Sequence, residues 1–475
     1  RDAWQQYPKE FVADPHAGRL LVRLWPASAG ELNLETGPEA YGPDDVARGS
    51  AFGLAKTHEL VFDFSGEPTA PEAFRTRFAA WLEPWVLAAD PTWLQATDAW
   101  GPIGPAHPDR WTDMELMLEQ LSGWATRQPK DFGWYGMLDY GDTRTWYRKE
   151  AYDKSYTEWG WHPEGRWGWF NCEAMGSHTG FLTSFLRTHD LKYFRVGEAS
   201  ARHLMDVDTV HYNTVANDPR LRTVISDEFA QVGSMHRHSA YHWSGRNEEA
   251  THTNVTGLLL YYYLTGYERA WEVAQEVGSF FLRDPVTYTK HPDIAPVRAI
   301  GNVLWGDVLL YQASWDPRYL SGAQRWVKIL LDGQQLDGTW RDTYDPRRQT
   351  WTGKVGNRFI VFHVLPALIA YHRLTGDPAV AQAIVRGTDA MLTHEPYLQF
   401  FDALAYSYLL TGQGRYLDAG MERVRELVKA QRHGEPSMDG MVFQKATYER
   451  VPPVLYSVPF LLGALDAQDF STVER

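Results

Sequence analysis

A repeated pair of helix signals constrains the fold of this chain more than any other feature of its sequence. Five segments that follow Asn171 share one plan: an apolar helix end, a short turn of Thr, Ser, His, Gly or Asp, and an aromatic or small residue that opens a second helix. These segments are 184–199, 261–274, 309–323, 370–383 and 406–420. The plan predicts a series of antiparallel helix hairpins.

Glycines and Asp-Pro pairs mark the two sides of the predicted turns. Gly266, Gly376 and Gly412 stand where a helix C-cap favours left-handed backbone. The Asp-Pro pairs at 316–317 and 377–378 each supply an N-cap carboxylate followed by a first-turn proline. The turns are irregularly spaced, which argues against an open solenoid. The predicted fold class is therefore mainly α: an (α/α) toroid of five or six helix hairpins, preceded by a few β-strands that belong to a β-sandwich domain.

The chain divides into three predicted regions. Short apolar runs in the first region are typical of strands, and 21–26 and 58–64 are the clearest of them. So few strands make a poor independent domain, so we expect residues 1–66 to be the C-terminal part of a β-sandwich whose other strands are not in this chain. Residues 67–110 are predicted to be a linker with the first packed segments, and residues 111–475 to be the toroid.

Composition limits the partners of the protein. The 475 residues carry a formal net charge of −14 and contain no basic block, which argues against nucleic acid and membrane surfaces as partners. The 21 Trp, 25 Tyr and 21 Phe suit the flat faces of sugar-binding clefts and equally suit the cores of helical repeats. The single cysteine, Cys172, excludes an intrachain disulfide and is compatible with a secreted or a cytoplasmic protein.

One polar segment, residues 234–257, concentrates the side chains that could carry chemistry. It holds four of the 17 histidines and leads into the apolar segment 255–264. Burying so many polar groups would need a partner for each, so we expect a loop that a buried helix delivers to a fixed place, as in many active sites. The alternative is a surface loop whose histidines cap helices and pair with carboxylates. The candidate catalytic residues are His236, His238, Tyr241, His242 and Arg246, and the candidate substrate contacts are Trp243, His252 and Asn254.

A second cluster, residues 206–213, lies at a predicted helix end and contributes His211 and Tyr212 as candidate substrate contacts. Asp206 and Asp208 in the same cluster could bind a divalent cation such as calcium through hard oxygens. They could equally cap the next segment and fix the tautomer of a catalytic histidine. Because an EF-hand pattern is absent, we assign no metal ligand and no cofactor.

Two further segments, 169–178 and 339–359, supply the remaining candidate substrate contacts. The first opens a predicted helix, so its polar residues also fit an N-cap and a first turn that complements the helix dipole. The second is a hairpin-like loop with several cations, which could receive a polyuronate or be a solvated, salt-bridged loop. The candidate residues are Asn171, Glu173, His178, Tyr344 and Arg358.

Several segments resemble one family when they are taken together in order and spacing. They are WQQYPKEFV near the start, KTHELVFDF (56–64), WFNCEA (169–174), FLRTHDLKYFRVGEASARHLMDVDTVHYN (185–213) and GLLLYYYLTG (257–266). In these the chain resembles the exo-rhamnogalacturonan lyase family (YetA-like proteins, polysaccharide lyase family 26). The resemblance implies a barrel-like β domain, a β-sandwich and a C-terminal (α/α) toroid, with the N-terminal β domain missing from this chain. It also implies release of a disaccharide from a chain end of rhamnogalacturonan.

The polar segment contains the side-chain types that β-elimination on a uronic acid requires. A base must remove the C5 proton, a partner must neutralise the carboxylate, and an acid must protonate the leaving oxygen. Arg246 suits the carboxylate because its guanidinium is a bidentate, permanently charged fork. Tyr241 or His238 would be the base or the acid, with other polar residues of the segment in support.

The predicted function is therefore a polysaccharide lyase that cleaves an acidic, uronic-acid-containing glycan. The resemblance narrows this to exo-action on rhamnogalacturonan. One alternative is a glycoside hydrolase of uronyl or rhamnosyl linkages, which would use two carboxylates. A second alternative is a non-catalytic glycan-binding protein that would use the Trp-rich residues 132–170.

Overall fold

A computed structural model describes most of the chain: residues 2–30, 53–64, 70–83, 85–131, 133–142, 176–212, 232–235, 250–283, 294–356, 360–394, 401–435, 438–443 and 451–473. The α-helices in these ranges are α1 (Pro71–Leu82), α2 (Pro91–Thr97), α3 (Thr112–Asp131), α4 (Ser177–Thr188), α5 (Leu191–His203), α6 (Thr256–Thr265), α7 (Glu268–Phe281), α8 (Val297–Ser314), α9 (Pro317–Gly333), α10 (Leu365–Thr375), α11 (Pro378–His394), α12 (Phe401–Thr411), α13 (Arg415–Ala430) and α14 (Val451–Val473). π-Helical turns span Leu204–Asp208 after α5 and Ile360–Val364 before α10. None of the described helices is both long and apolar enough to cross a membrane.

The helices form a closed ring of six pairs, which confirms the predicted toroid. Helices α4, α6, α8, α10, α12 and α14 form the inner layer, and α5, α7, α9, α11, α13 and α3 form the outer layer. The inner helix α6 is apolar along most of its length, whereas the outer helix α13 buries one side only. The N-terminal α3 packs against the C-terminal α14, and Trp111 Nε1 donates a hydrogen bond to Asp466 Oδ1 (3.1 Å) beside the Arg110–Asp466 ion pair (2.9 Å). These contacts close the ring.

The short turns between inner and outer helices have the predicted chemistry. Gly266, Gly376 and Gly412 adopt left-handed backbone with φ of 64°, 67° and 68°. Asp316 Oδ1 accepts a hydrogen bond from the N–H of residue 318 (3.0 Å), and Asp377 Oδ1 accepts one from the N–H of residue 379 (2.8 Å). The predicted caps on both sides of the turns are thus confirmed.

The two ends of the ring differ. Each short turn joins the C-terminal end of an inner helix to its outer partner, so the inner helices all begin at the opposite end, where the long connections lie. We call this the open end, and the end with the short turns the closed end. Residues 98–104 cover the closed end: Trp100 Nε1 donates a hydrogen bond to Thr183 Oγ1 (3.1 Å), and Arg373 pairs with Asp98 (3.0 Å). A ligand that reaches the ring axis must therefore enter from the open end.

The strands occupy two small sheets. β1 (Glu10–Asp14) and β2 (Arg19–Arg23) form an antiparallel hairpin, so the predicted strand near 21–26 is present in part. β3 (Ala295–Pro296), β4 (Arg341–Asp345) and β5 (Thr350–Val355) form the second sheet, with the predicted hairpin between β4 and β5.

The predicted strand at 58–64 is wrong. A strand needs a neighbour to pair its backbone groups, and no described strand lies beside this segment. The backbone before it runs against the toroid instead, where the Thr57 N–H donates to Asp206 Oδ2 (2.7 Å). Assignment of residues 1–66 to a β-sandwich stays a prediction.

Candidate functional site

One stripe of side chains on α8 follows the axis of the ring. Trp305, Leu309 and Gln312 line a cavity of about 80 Å³ at the centre of the inner layer. Arg298 and Asn302 precede them at the same three- and four-residue spacing, so they continue the stripe toward the open end. Both are buried, with exposed fractions of 7% and 5%. The inner face of α8 thus becomes polar at the open end of the ring.

Asn302 connects three segments at the open end. Its Nδ2 donates hydrogen bonds to the carbonyl oxygens of Ala250 and Thr251, both at 3.0 Å, and its Oδ1 lies 2.7 Å from His363 Nδ1. The reversed amide would set Oδ1 against two carbonyl oxygens, so Oδ1 must be the acceptor and His363 Nδ1 must carry the hydrogen. In the neutral imidazole the lone pair then belongs to Nε2. The fold has therefore selected one tautomer of His363.

His363 occupies an irregular backbone turn. It lies in the π-helical turn before α10, and such turns are frequent at functional sites. Gly301 on α8 allows this turn to come close, because a Cβ there would lie 2.7 Å from the carbonyl oxygen of His363. The only sequence signal for this residue is a single histidine in the apolar run FIVFHVLP.

The polar segment has both of its described ends at the open end. The Met235 N–H donates to Thr253 Oγ1 (3.0 Å), and Met235 forms a β-bridge with Thr209. Ala250, at the other end, is held by Asn302. The predicted residues His236, His238, Tyr241, His242, Trp243 and Arg246 lie outside the described residues, as do Asn171, Glu173 and Arg358. Their roles stay predictions.

Three predicted substrate contacts meet around the first turn of α6. His252 is buried, with Nδ1 2.9 Å from Thr251 Oγ1, and Asn254 is buried just before the helix. His178, at the start of α4, presses against Gly257, where a Cβ would lie 1.9 Å from the ring. Burial lowers the pKa of His178 to about 3, and the charge of Asp208 opposes this shift. His178 is therefore a neutral imidazole at physiological pH.

Three other predicted contacts, His211, Tyr212 and Tyr344, do not belong to this group. His211 Nδ1 lies 2.5 Å from Glu276 Oε2 on the outer helix α7. Tyr212 is exposed (62%). Tyr344 is buried in the β4–β5 hairpin, where its ring packs against Trp351 with a centroid distance of 5.2 Å. His211 thus has a hydrogen-bond partner and Tyr344 a packing partner, and the structure does not group these residues with Asn302.

The pair Asp206 and Asp208 does not form one site. The Asp206 carboxylate accepts hydrogen bonds from Thr57 N–H (2.7 Å) and Thr57 Oγ1 (2.8 Å). Asp208 Oδ1 lies instead 3.4 Å from His203 Nε2, and Asp142 Oδ2 lies 3.2 Å from the same nitrogen. Burial alone would lower the pKa of His203, but the two carboxylates outweigh it and raise the pKa to about 10.

No sequence pattern indicates the carboxyl group that lines the axial cavity. Asp402, in the first turn of α12, lines this cavity together with Tyr456 and Thr256. Burial raises the pKa of Asp402 to about 7, against the lowering effect of hydrogen bonds from the backbone N–H groups of Asp402 and Ala403. Asp402 therefore changes its charge near neutral pH.

Sequence relatives point to one family. Residues 84–281 match the family described as the PcRGLX-like protein C-terminal alpha/alpha toroid domain. The uncharacterized protein YetA of Bacillus subtilis (strain 168) is 25% identical over 287 residues, which are 58% of this chain and 31% of YetA. The resemblance to the YetA-like family is thus confirmed. This YetA-like chain spans about a third of the length of the curated relative.

Solved structures of two glycoside hydrolases share the ring of helix pairs. A family 76 glycoside hydrolase from a bovine Bacteroides thetaiotaomicron strain superposes with a TM-score of 0.51 over 74% of this chain and 78% of that one, at 12% identity. The family 76 glycoside hydrolase (mannosidase) of Bacteroides thetaiotaomicron VPI-5482 gives a TM-score of 0.51 over 74% and 99%, at 11% identity. At such identities the likeness shows the shared ring and nothing about the substrate.

Proposed function

We propose that this chain is a polysaccharide lyase that cleaves an acidic glycan by β-elimination, exo-acting on rhamnogalacturonan. The observation that carries the proposal is the Asn302 network. It holds the C-terminal end of the polar segment at the open end, beside His363 and on the same helix face as Arg298. In this proposal His363 would be the base and Arg298 the cation, the two groups that removal of a proton next to a uronate requires.

The charge at the open end suits an anionic sugar. The inner helices all begin there, and helix N-termini carry partial positive charge that favours carboxylates. Arg298 adds a guanidinium on the axial stripe one turn before Asn302. Arg298 and the sequence-predicted Arg246 are then the two candidates for the carboxylate clamp.

His363 joins the candidates for the base. Because Nδ1 donates to Asn302, Nε2 is the nitrogen that would take the C5 proton from the substrate. Tyr241 and His238 are the other candidates for base and acid, and either would protonate the leaving oxygen if His363 is the base. His252, Asn254 and the other predicted contacts of the polar segment would hold the sugar.

Hydrolysis is the second candidate, and the ring shared with family 76 glycoside hydrolases favours it. It would need two carboxylates that face one cleft. Four described carboxylates near this end, those of Asp142, Asp206, Asp208 and Asp402, are all buried, and the first three are engaged by His203 or Thr57. We therefore favour elimination.

An ultraviolet absorbance time course with rhamnogalacturonan, pectin backbone and other acidic glycans tests the proposal. Elimination creates a conjugated double bond, so we expect absorbance to rise together with new reducing ends. New reducing ends without absorbance would mean hydrolysis and would overturn the lyase assignment. If no substrate gives either signal, the result would favour a glycan-binding protein or a chain that needs a further domain.

Arg298→Ala is expected to lower kcat/KM on the acidic glycan about 100-fold, which is about 3 kcal/mol of transition-state stabilisation. The reason is that a neutral side chain leaves the uronate carboxylate without its counter-charge. The exposed Arg318→Ala, on the outer helix α9, is the control and should be unchanged. If Arg246→Ala shows this loss and Arg298→Ala does not, the clamp is Arg246.

A further inference from the structure

Three side chains of types that bind metals form a buried group at the C-terminal end of α5. They come from residues 133–142, from the last residue of α5 and from the π-turn that follows it. The nitrogen and oxygen atoms that Asp142, His203 and Asp208 offer all lie within 4.8 Å of one another. Their exposed fractions are 2%, 0% and 1%. Gly141 allows this approach, because a Cβ there would lie 2.0 Å from the carbonyl oxygen of residue 199 on α5.

The distances in this group are long for charge-assisted hydrogen bonds. His203 Nε2 lies 3.2 Å from Asp142 Oδ2 and 3.4 Å from Asp208 Oδ1, whereas charge-assisted N–H···O bonds are about 2.7–2.9 Å long. One ring nitrogen carries at most one hydrogen, so it can point that hydrogen at one carboxylate only. The hydrogen on Nε2 therefore cannot serve both carboxylates at once.

The same distances fit ligands around a cation. With metal–ligand distances of about 2.1 Å, two ligands of one cation are roughly 3.0 Å apart at right angles and roughly 3.4 Å apart in a tetrahedron. The two measured separations fall within this interval. A cation would replace the proton that the two carboxylates hold on His203, and it would contact both carboxylates at once.

We propose that Asp142, His203 and Asp208 form a structural site for one divalent transition cation of the zinc or manganese class. Imidazole nitrogen combined with carboxylate oxygen suits these ions, whereas calcium and magnesium prefer oxygen alone. Because the group is buried, the ion would tie residues 133–142 to α5 and to the π-turn that follows it, and would not contact a glycan. The proposal does not depend on the lyase assignment.

The metal content of the full chain tests the site. After dialysis against a chelator, zinc or manganese chloride is added, excess metal is removed and bound metal is measured by elemental analysis. We expect one ion per chain and a rise in the thermal unfolding midpoint of about 5 °C. Wild-type protein with less than about a tenth of an ion per chain for both metals would overturn the proposal.

A matched pair of variants locates the ion. Asp208→Asn should lose the bound ion and the rise in midpoint, whereas Asp206→Asn should keep both, because Asp206 lies in the same π-turn but binds Thr57. Equal metal content in the two variants would overturn the assignment. If Asp208→Asn fails to fold, cobalt(II) is added to the wild-type chain instead. Visible absorption bands typical of nitrogen and oxygen ligands would support the proposed site, and their absence would refute it.

Discussion

The Asn302→Ala variant is expected to lose on the order of 4 kcal/mol of unfolding free energy and most of its turnover. The substitution removes hydrogen bonds to Ala250, Thr251 and His363 and leaves all three partners in a buried site. Each buried polar group that loses its partner costs about 1–3 kcal/mol. This loss of unfolding free energy should exceed the loss caused by removing any single helix cap at a short turn.

Gln312→Ala is the control for this experiment. Gln312 lies on the same stripe of α8 and carries the same amide group, but it lines the axial cavity farther from the open end. We expect its unfolding free energy to stay within about 1 kcal/mol of wild type. Denaturant unfolding and glycan turnover are measured for both variants. Because Gln312 is exposed, equal losses in both would show that the Asn302 amide stabilises the fold no more than an exposed amide does and does not organise the site.

The turnover of Asn302→Ala separates stability from function. Without the two hydrogen bonds from Asn302, the C-terminal end of the polar segment is no longer fixed, and His363 loses the acceptor that sets its tautomer. Turnover should therefore fall even at temperatures where the variant remains folded. Turnover equal to wild type under those conditions would contradict a role of this network in the site.

The ring was predictable because its signals are local. A glycine C-cap at Gly376 and the N-cap of Asp377 identify a turn within a few residues, and the apolar segments around it identify the helices. Closure of the ring was not predictable in the same way. It depends on Asp466 meeting Trp111 and Arg110, which are more than 350 residues away along the chain. The strand predicted at 58–64 failed for the same reason, since strand formation depends on a partner that the pattern does not name.

The site could be predicted only where polar residues crowd together in the sequence. The polar segment was found by its density of histidines, and its described ends do lie at the open end. The sequence did not predict Arg298, Asn302 and His363, because a single polar residue in an apolar helix gives no indication of its neighbours in space. Their common position appears only when the two inner helices α8 and α10 are placed around one axis.

Asp402→Asn is expected to remove a large pH dependence of stability. The ordinary pKa of an aspartic acid is 3.8, and burial raises that of Asp402 to about 7. The folded protein therefore holds this proton more tightly than the unfolded chain does. The stabilising effect is fully present below pH 3.8 and is lost as the pH rises through 7. The difference between the two pKa values corresponds to a loss of unfolding free energy on the order of 4 kcal/mol.

The asparagine keeps the shape of the neutral acid but cannot ionise. We therefore expect the variant and wild type to be about equally stable near pH 4, and the variant to be more stable at pH 8. The readout is the difference in unfolding free energy between the two proteins at each pH, because other titrating groups cancel in that difference. Asp418→Asn, in the exposed first turn of the neighbouring outer helix α13, is the control and should leave the pH dependence unchanged. If Asp402→Asn is no more stable than wild type at pH 8, then Asp402 is already ionised in the fold, and the axial cavity beside Tyr456 accommodates a charge.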